Sequence, residues 1–139
     1  VAWQSVGVQF AAYEIALQYA KERTQFGRPI GKFQMVQDLL VKMLGNATAC
    51  AGMMARLAQL QHDGVYRDEQ SALAKAYCTS RMRETVHWAR ELLGGNGILL
   101  DYHVMRHMAD IEALHTYEGT ETMQTLIVGR DITGVGAFA

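Results

Sequence analysis

The sequence predicts an all-α fold, an up-down four-helix bundle of long helices. Three observations predict it. Apolar residues recur at spacings of three and four through three long segments, the spacing that lines one side of a helix. The single proline, Pro29, falls between the first two segments, so each can run as an uninterrupted helix. No stretch of alternating apolar and polar residues is long enough to build a strand of useful length.

The first helix carries Val6, Phe10, Tyr13, Leu17 and Ala20 on one side. It is expected to fade over 21–25, where charged and polar residues gather, and Gly27-Arg28-Pro29 breaks it. A second pattern starts near Phe33 and continues through Val36, Leu40, Met43, Ala47, Cys50 or Ala51, Met54, and Leu57 or Ala58. It lasts about 30 residues, or about 45 Å at 1.5 Å per residue, and ends near His62-Asp63-Gly64. The third helix runs from about Asp68 to Leu93, with Ala72, Ala76, Met82, Val86, Ala89 and Leu93 inward and Tyr77 and Trp88 at its flanks. The run Gly94-Gly95-Asn96-Gly97 stops it, as glycines at a helix C-terminus do. The segment 98–102 reads as an extended link. Short helices follow over about 103–112 and 122–131, and the tail from Gly134 reads as irregular. Short breaks between long helices imply antiparallel neighbours. Apolar residues on more than one side of these helices imply a second buried face in an oligomer.

The 139 residues suffice for one helical domain with a real core, spanning 1–139. A formal net charge of −1 gives no electrostatic case for nucleic acid or for an anionic membrane surface. No apolar run approaches the ~20 residues that span a bilayer. Cys50 and Cys78 both fall inside helical patterns, and free buried thiols in a reducing compartment are the favoured reading over a disulfide. The chain opens on Val1-Ala2-Trp3, already in helical register, with neither an initiator Met nor a signal-peptide pattern. It is therefore expected to be one domain of a longer protein.

Four places carry chemistry, and each has two readings. Arg23 is either a solvated helix end or part of a functional site. Gln34 is either a residue of an N-terminal turn or a ligand contact. The Gly94-Gly95 turn is either a helix stop only or a close backbone approach to a ligand. Glu118, in Thr116-Tyr117-Glu118-Gly119-Thr120, is either a charge that complements a helix N-terminus or a tuned carboxylate. An acid held against apolar surface has a raised pKa, which suits a general base near neutral pH. His103 and His107 stand four apart with Asp101 and Asp110 nearby, but no third ligand converges on them in a known pattern, so no metal site is assigned. The charges Arg81, Arg83, Glu84, Arg90 and Glu91 read as a solvated or ion-paired face, part of it at a subunit interface.

Taken in order, RTQFGRPIGKFQ (23–34), ELLGGNGI (91–98) and TYEGTETMQTLIVGRDITG (116–134) resemble the C-terminal domain of the acyl-CoA dehydrogenase family. The resemblance covers essentially the whole chain. It is greatest to the glutaryl-CoA branch, through TYEGT, LIVGRDITG and a terminal Ala-Phe. It implies a three-domain flavoenzyme, helical, then β, then this helical bundle, assembled as a homotetramer with non-covalent FAD. The implied reaction is α,β-desaturation of an acyl-CoA, with electrons passing to an electron-transfer flavoprotein. The glutaryl branch also decarboxylates its product. The implied location is cytoplasmic in a bacterium and the mitochondrial matrix in a eukaryote.

Carried over by motif, Glu118 matches the catalytic base, and its backbone N–H a donor to the thioester oxygen. Tyr117 and Gly119 match substrate-pocket positions. Arg23 matches an arginine that reaches the FAD pyrophosphate of a neighbouring subunit, where a guanidinium can pair two oxygens at once. Phe26, Gln34, Glu91, Leu92, Leu93, Gly94, Gly95, Thr120 and Phe138 match positions near FAD. Two other functions remain open: a non-catalytic helical oligomerisation or binding module, and an acyl-CoA oxidase of the same fold.

Overall fold

The computed structural model describes residues 1–137 and is an all-α bundle, as the periodicity predicts. Helix α1 spans Ala2–Glu22, α2 Gln34–His62, α3 Asp68–Leu92, α4 Val104–Thr116 and α5 Glu121–Thr133. Helix α3 is the hub and packs against the other four. Side-chain bonds fix the directions. Gln9 of α1 donates to the Cys78 carbonyl (3.4 Å) and Asn96 beyond α3 donates to Tyr19 (3.0 Å), so α1 and α3 run parallel. Asn46 of α2 donates to the Arg81 carbonyl, Glu84 and Thr85 of α3, and Cys50, one turn later, meets Cys78, one turn and more earlier, so α2 runs antiparallel to α3.

The fourth position of the bundle is filled by two helices. Glu112 pairs with Arg83, His115 with Thr79, Tyr117 with Lys75 and Asp131 with Arg67. Partners thus step down α3 as they step up α4 and α5. The two short helices form one antiparallel stave, interrupted at 117–120.

The core of α1 differs from its predicted stripe. Ser5, Val6, Gln9, Ala12, Ala16 and Ala20 are buried, while Phe10, Tyr13 and Leu17 are only half-buried. Apolar residues nearly encircle α1, so periodicity alone cannot choose the inward side. Packing chooses the small residues, because alanines let two helix backbones approach closely while bulkier side chains occupy the flanks. Met43, Met82, Val86 and Val104 fill the space that remains. Cys50 and Cys78 are free and buried side by side between α2 and α3. The Cys78 thiol's hydrogen bond lowers the Cys50 pKa to about 7 against the opposing effect of burial, and that bond and burial raise Cys78.

Two connections also differ from expectation. Residues 24–29 form a minimal hairpin, Thr24–Gln25 against Arg28–Pro29, whose turn residues Phe26 and Gly27 both have positive φ (52° and 76°). That is the turn geometry that matches strand twist. The segment after α3 is not extended. It coils as two 3-10 turns, Gly94–Ile98 and Leu100–Tyr102. Gly97 is buried there, and a Cβ on it would stand 2.3 Å from the Arg90 carbonyl oxygen. The chain leaving α3 can therefore fold back onto the end of that helix only over a glycine.

The close approach of α1 to α3 is testable. Ala12 is fully buried, so Ala12→Leu is expected to destabilise the protein by about 1–3 kcal/mol through overpacking. A urea midpoint that does not move would contradict the small-residue contact.

Candidate functional site

The stave breaks at Tyr117–Thr120, and the backbone there is unusual. Glu118 has φ 56° and Gly119 φ 85°, two left-handed residues in succession. A left-handed conformation costs a non-glycine residue about 1–2 kcal/mol. Side chains of two other segments hold it. The Lys75 ammonium of α3 donates to the carbonyls of Tyr117 and Gly119. Gln124 Nε2 of α5 donates to the carbonyls of Glu118 (3.0 Å) and Gly119 (3.2 Å). All three carbonyls of the break are thus satisfied from the bundle side. The Tyr117 hydroxyl donates to Gln4 Oε1 of α1 at 2.9 Å, and the Thr120 hydroxyl caps α5 by accepting from the Met123 N–H. A Cβ on Gly119 would lie 2.5 Å from Gln124 Nε2, so the cradle admits only glycine there.

Lys75 is buried, 6% exposed. Burying an ammonium is expensive unless hydrogen bonds replace its water, and the loop carbonyls do so. Desolvation lowers the Lys75 pKa below its ordinary value, and the nearby Glu118 carboxylate pushes it back up. Glu118 itself is exposed. The apolar surface expected around its carboxylate is not closed over it by this chain. What the chain supplies is one side of a cleft of about 670 Å³, lined by Trp3, Leu57 and Ile127 together with Lys75, Gln124 and Glu118. Among the described residues, no protein acceptor takes the Glu118 backbone N–H.

A second cluster stands at the other end of the bundle. Arg23, Leu92, Leu93, Gly94 and Gly95 line one cleft of about 400 Å³. Gln34, Glu91 and Leu92 line another of about 530 Å³, and Leu92 borders both. Arg23 is exposed and has no carboxylate partner among the described residues. Phe26 is 90% exposed at the hairpin tip, its ring edge-on to Phe33 at 6.0 Å. Arg28 covers the other aromatic surface, 4.3 Å from the Phe33 ring centre. A free guanidinium, open glycine backbone and an exposed ring suit a ligand with phosphates and a flat heterocycle. Nothing stands within 4 Å of a Cβ on Gly94 or Gly95, so their backbone is open to a ligand.

Most of the residues singled out from sequence therefore fall into two groups. Tyr117, Glu118, Gly119 and Thr120 form one. Arg23, Phe26, Gln34 and Glu91 through Gly95 form the other. Lys75 marks the first along α3 and Leu92 the second, 17 residues later, about 26 Å at 1.5 Å per residue. One rigid helix sets their separation. Phe138 lies outside the described residues. Within the charge run, Arg81 pairs with Glu84 and Arg83 with Glu112, while His87 Nε2 lies 3.3 Å from Glu91 and Arg90 meets no carboxylate among the described residues. His103 takes a left-handed conformation at the start of α4, and burial lowers the His107 pKa. Sequence reasoning missed Lys75, Gln124 and Gln4. Lys75 had a signal, since a lysine within the buried stretch Ala72 to Thr79 interrupts an otherwise uncharged helix face.

Comparison with known proteins follows the same lines. Residues 1–133 match the family model for the acyl-CoA dehydrogenase C-terminal domain. A 3-(aryl)acrylate reductase of Clostridium sporogenes is 32% identical over 95% of this chain and 35% of its own length. A glutaryl-CoA dehydrogenase structure from Mycobacterium smegmatis superposes with TM-score 0.96 at 38% identity, over 99% of this chain and 36% of that one. A second glutaryl-CoA dehydrogenase structure from that organism, in complex with FADH2, gives TM-score 0.96 at 29% identity with the same coverage. The chain thus spans about a third of the length of these proteins.

The cradle around Gly119 predicts a sharp steric effect. Gly119→Ala places a side chain at positive φ against Gln124, and a loss of about 1–3 kcal/mol is expected. Thermal unfolding checks it, and an unchanged Tm would show that the loop relaxes freely.

Proposed function

This chain belongs to the acyl-CoA dehydrogenase family, as its C-terminal domain, and from that premise we propose that the protein it forms part of desaturates an acyl-CoA between the α and β carbons. An N-terminal helical domain and a middle β domain complete the subunit. The observation that carries this reading is the paired presentation at the stave break, an exposed Glu118 beside a Glu118 N–H that no acceptor among the described residues takes.

The chemistry follows from those two groups. An α C–H beside a thioester is weakly acidic, so its removal needs both a base and a place for the charge that develops on the thioester oxygen. The Glu118 carboxylate takes the α proton. The Glu118 N–H donates to the thioester oxygen, where negative charge grows as the C–H bond breaks. FAD, when bound, supplies the two-electron acceptor for the β hydrogen. Acyl chain and cofactor together exclude water, which weakens solvation of the Glu118 carboxylate and makes it a stronger base. Trp3, Leu57 and Ile127 provide apolar wall beside it.

Arg23, Leu93, Gly94 and Gly95 would hold the pyrophosphate and adenosine part of FAD, and Phe26 and Gln34 would border it. The separation of about 26 Å between this cluster and Glu118 fits a homotetramer in which each bundle offers its base to one active site and Arg23 to a neighbour's. Electrons then pass to an electron-transfer flavoprotein. Glutaryl-CoA is the leading substrate, on the strength of the Mycobacterium neighbour. The Clostridium reductase favours a second reading, in which the same residues serve reduction of an α,β-unsaturated acyl group and Glu118 returns the proton. Turnover of the full-length protein with glutaryl-CoA, straight-chain acyl-CoAs and their enoyl counterparts separates the two. Oxygen uptake identifies an oxidase, and absence of all turnover a non-catalytic module.

Glu118→Gln in the full-length protein is expected to retain FAD and lose about 10²–10⁴-fold in turnover, the range of one general base. Activity near wild type would overturn the assignment. Arg23→Ala is expected to lose FAD on dialysis more readily than wild type while slowing the chemical step of reloaded enzyme little. Flavin absorbance measured before and after dialysis checks it, and equal retention would contradict the pyrophosphate role.

A further inference from the structure

We propose that Lys75 and Gln124 are positioning residues for the reaction, a two-sided carbonyl clamp that turns the Glu118 N–H away from the bundle and holds the Glu118 carboxylate at the edge of the cleft. The proposal rests on the reading of Glu118 as the base and adds how its geometry is enforced.

In a trans peptide the C=O and the following N–H point in opposite directions across one plane. The Tyr117 carbonyl and the Glu118 N–H belong to one such unit. Lys75 holds that carbonyl toward α3, so the Glu118 N–H is aimed away from the bundle. Gln124 holds the Glu118 carbonyl in the same sense, which turns the Gly119 N–H outward as well. Two successive left-handed residues allow adjacent carbonyls to converge in this way, and runs of outward N–H groups form concavities that bind anionic oxygen. The clamp thus builds the surface on which a thioester oxygen would rest.

The two donors are matched to the task. An ammonium offers three N–H bonds from one point and an amide offers two, so together they serve three carbonyls with Gly119 shared. Neither side chain has to touch the reacting atoms. Both line the cleft beside Glu118, and Lys75 sits on the rigid central helix while Gln124 sits on α5. The loop is therefore fixed from two elements at once, and loss of either donor leaves a part-buried carbonyl without its protein partner and free to rotate its peptide plane.

The test uses full-length holoenzyme with glutaryl-CoA, or the acyl-CoA it turns over best, and four variants: Lys75→Met, Lys75→Arg, Gln124→Leu and Glu118→Gln. A misplacement of about 1 Å at a reacting group costs on the order of 100-fold. Lys75→Met and Gln124→Leu are accordingly expected to lose about 10- to 100-fold in kcat. KM is expected to stay within about threefold, because uniform substrate binding is untouched. Lys75→Arg keeps the cation and its donors and is expected to recover most of kcat. A kcat within about twofold of wild type in Lys75→Met, with Glu118→Gln inactive, would overturn the clamp while leaving the base in place. Equal losses in Lys75→Met and Lys75→Arg would assign the effect to packing and also overturn it. Where Lys75→Met yields no folded holoenzyme, Gln124→Leu decides by the same criterion. An active Glu118→Gln would instead remove the underlying reading.

Discussion

A helix that breaks along a bundle leaves backbone carbonyls without their helical partners, and most of what is distinctive in this domain answers that problem. A carbonyl shielded from water and left unpaired costs about 1–3 kcal/mol, and the break at Tyr117–Thr120 brings together three part-buried ones that need partners from outside the loop. A buried lysine and a glutamine meet them. Once those bonds exist, the left-handed conformation of Glu118 is held by more interactions than its local strain opposes. The same contacts explain why Gly119 is required, why Lys75 tolerates burial and why the fourth stave is two helices. Strain at Glu118 and burial of Lys75 are each unfavourable alone. Each is compensated by the other's presence.

The rest of the bundle makes that arrangement rigid. Alanines on α1 bring it close to α3, and a polar contact set built on Gln9, Asn46 and Thr85 joins the first three helices within the core. Such fully partnered polar groups restrict how helices slide past one another, because any shift leaves a buried donor or acceptor alone. Helix α3 therefore serves as a ruler. It fixes Lys75 and the break loop near one end, and Leu92 with the glycine turn at the other. The two candidate ligand clusters are therefore held at a fixed separation, about 26 Å from Lys75 to Leu92 along α3.

How much of this was legible in the sequence depends on the kind of signal. Helix existence was legible, because a period near 3.6 in Leu, Ala, Val and Met is a local property. The stops at Gly64 and at the Gly94 turn were legible for the same reason. The inward side of α1 was not. Phe10, Tyr13 and Leu17 look like core residues by hydrophobicity, yet the neighbour's proximity gives those places to Ala12 and Ala16. The segment 98–102 reads as extended, since nothing local in Ile98-Leu99-Leu100 announces that 3-10 turns on either side will bring Gly97 against Arg90. Among site residues, Glu118 and Arg23 stood out by motif. Lys75 belongs to no motif and Gln124 is an unremarked position within the third, and their importance comes only from standing opposite a loop more than 40 and about five residues away in sequence.

By itself, then, the sequence determined the helical class, the approximate length of each long helix, the free state expected of both cysteines, and the family through three ordered motifs. These are local or near-local properties, set by periodicity, turn chemistry and short runs of residues. The tertiary structure alone decided that the fourth stave breaks at the carboxylate, that Glu118 is turned outward by donors from α3 and α5, and that Arg23 and the glycine turn share one end of the bundle. Those outcomes depend on which distant groups satisfy the same buried backbone atoms, and the need to satisfy them arises only when the helices pack.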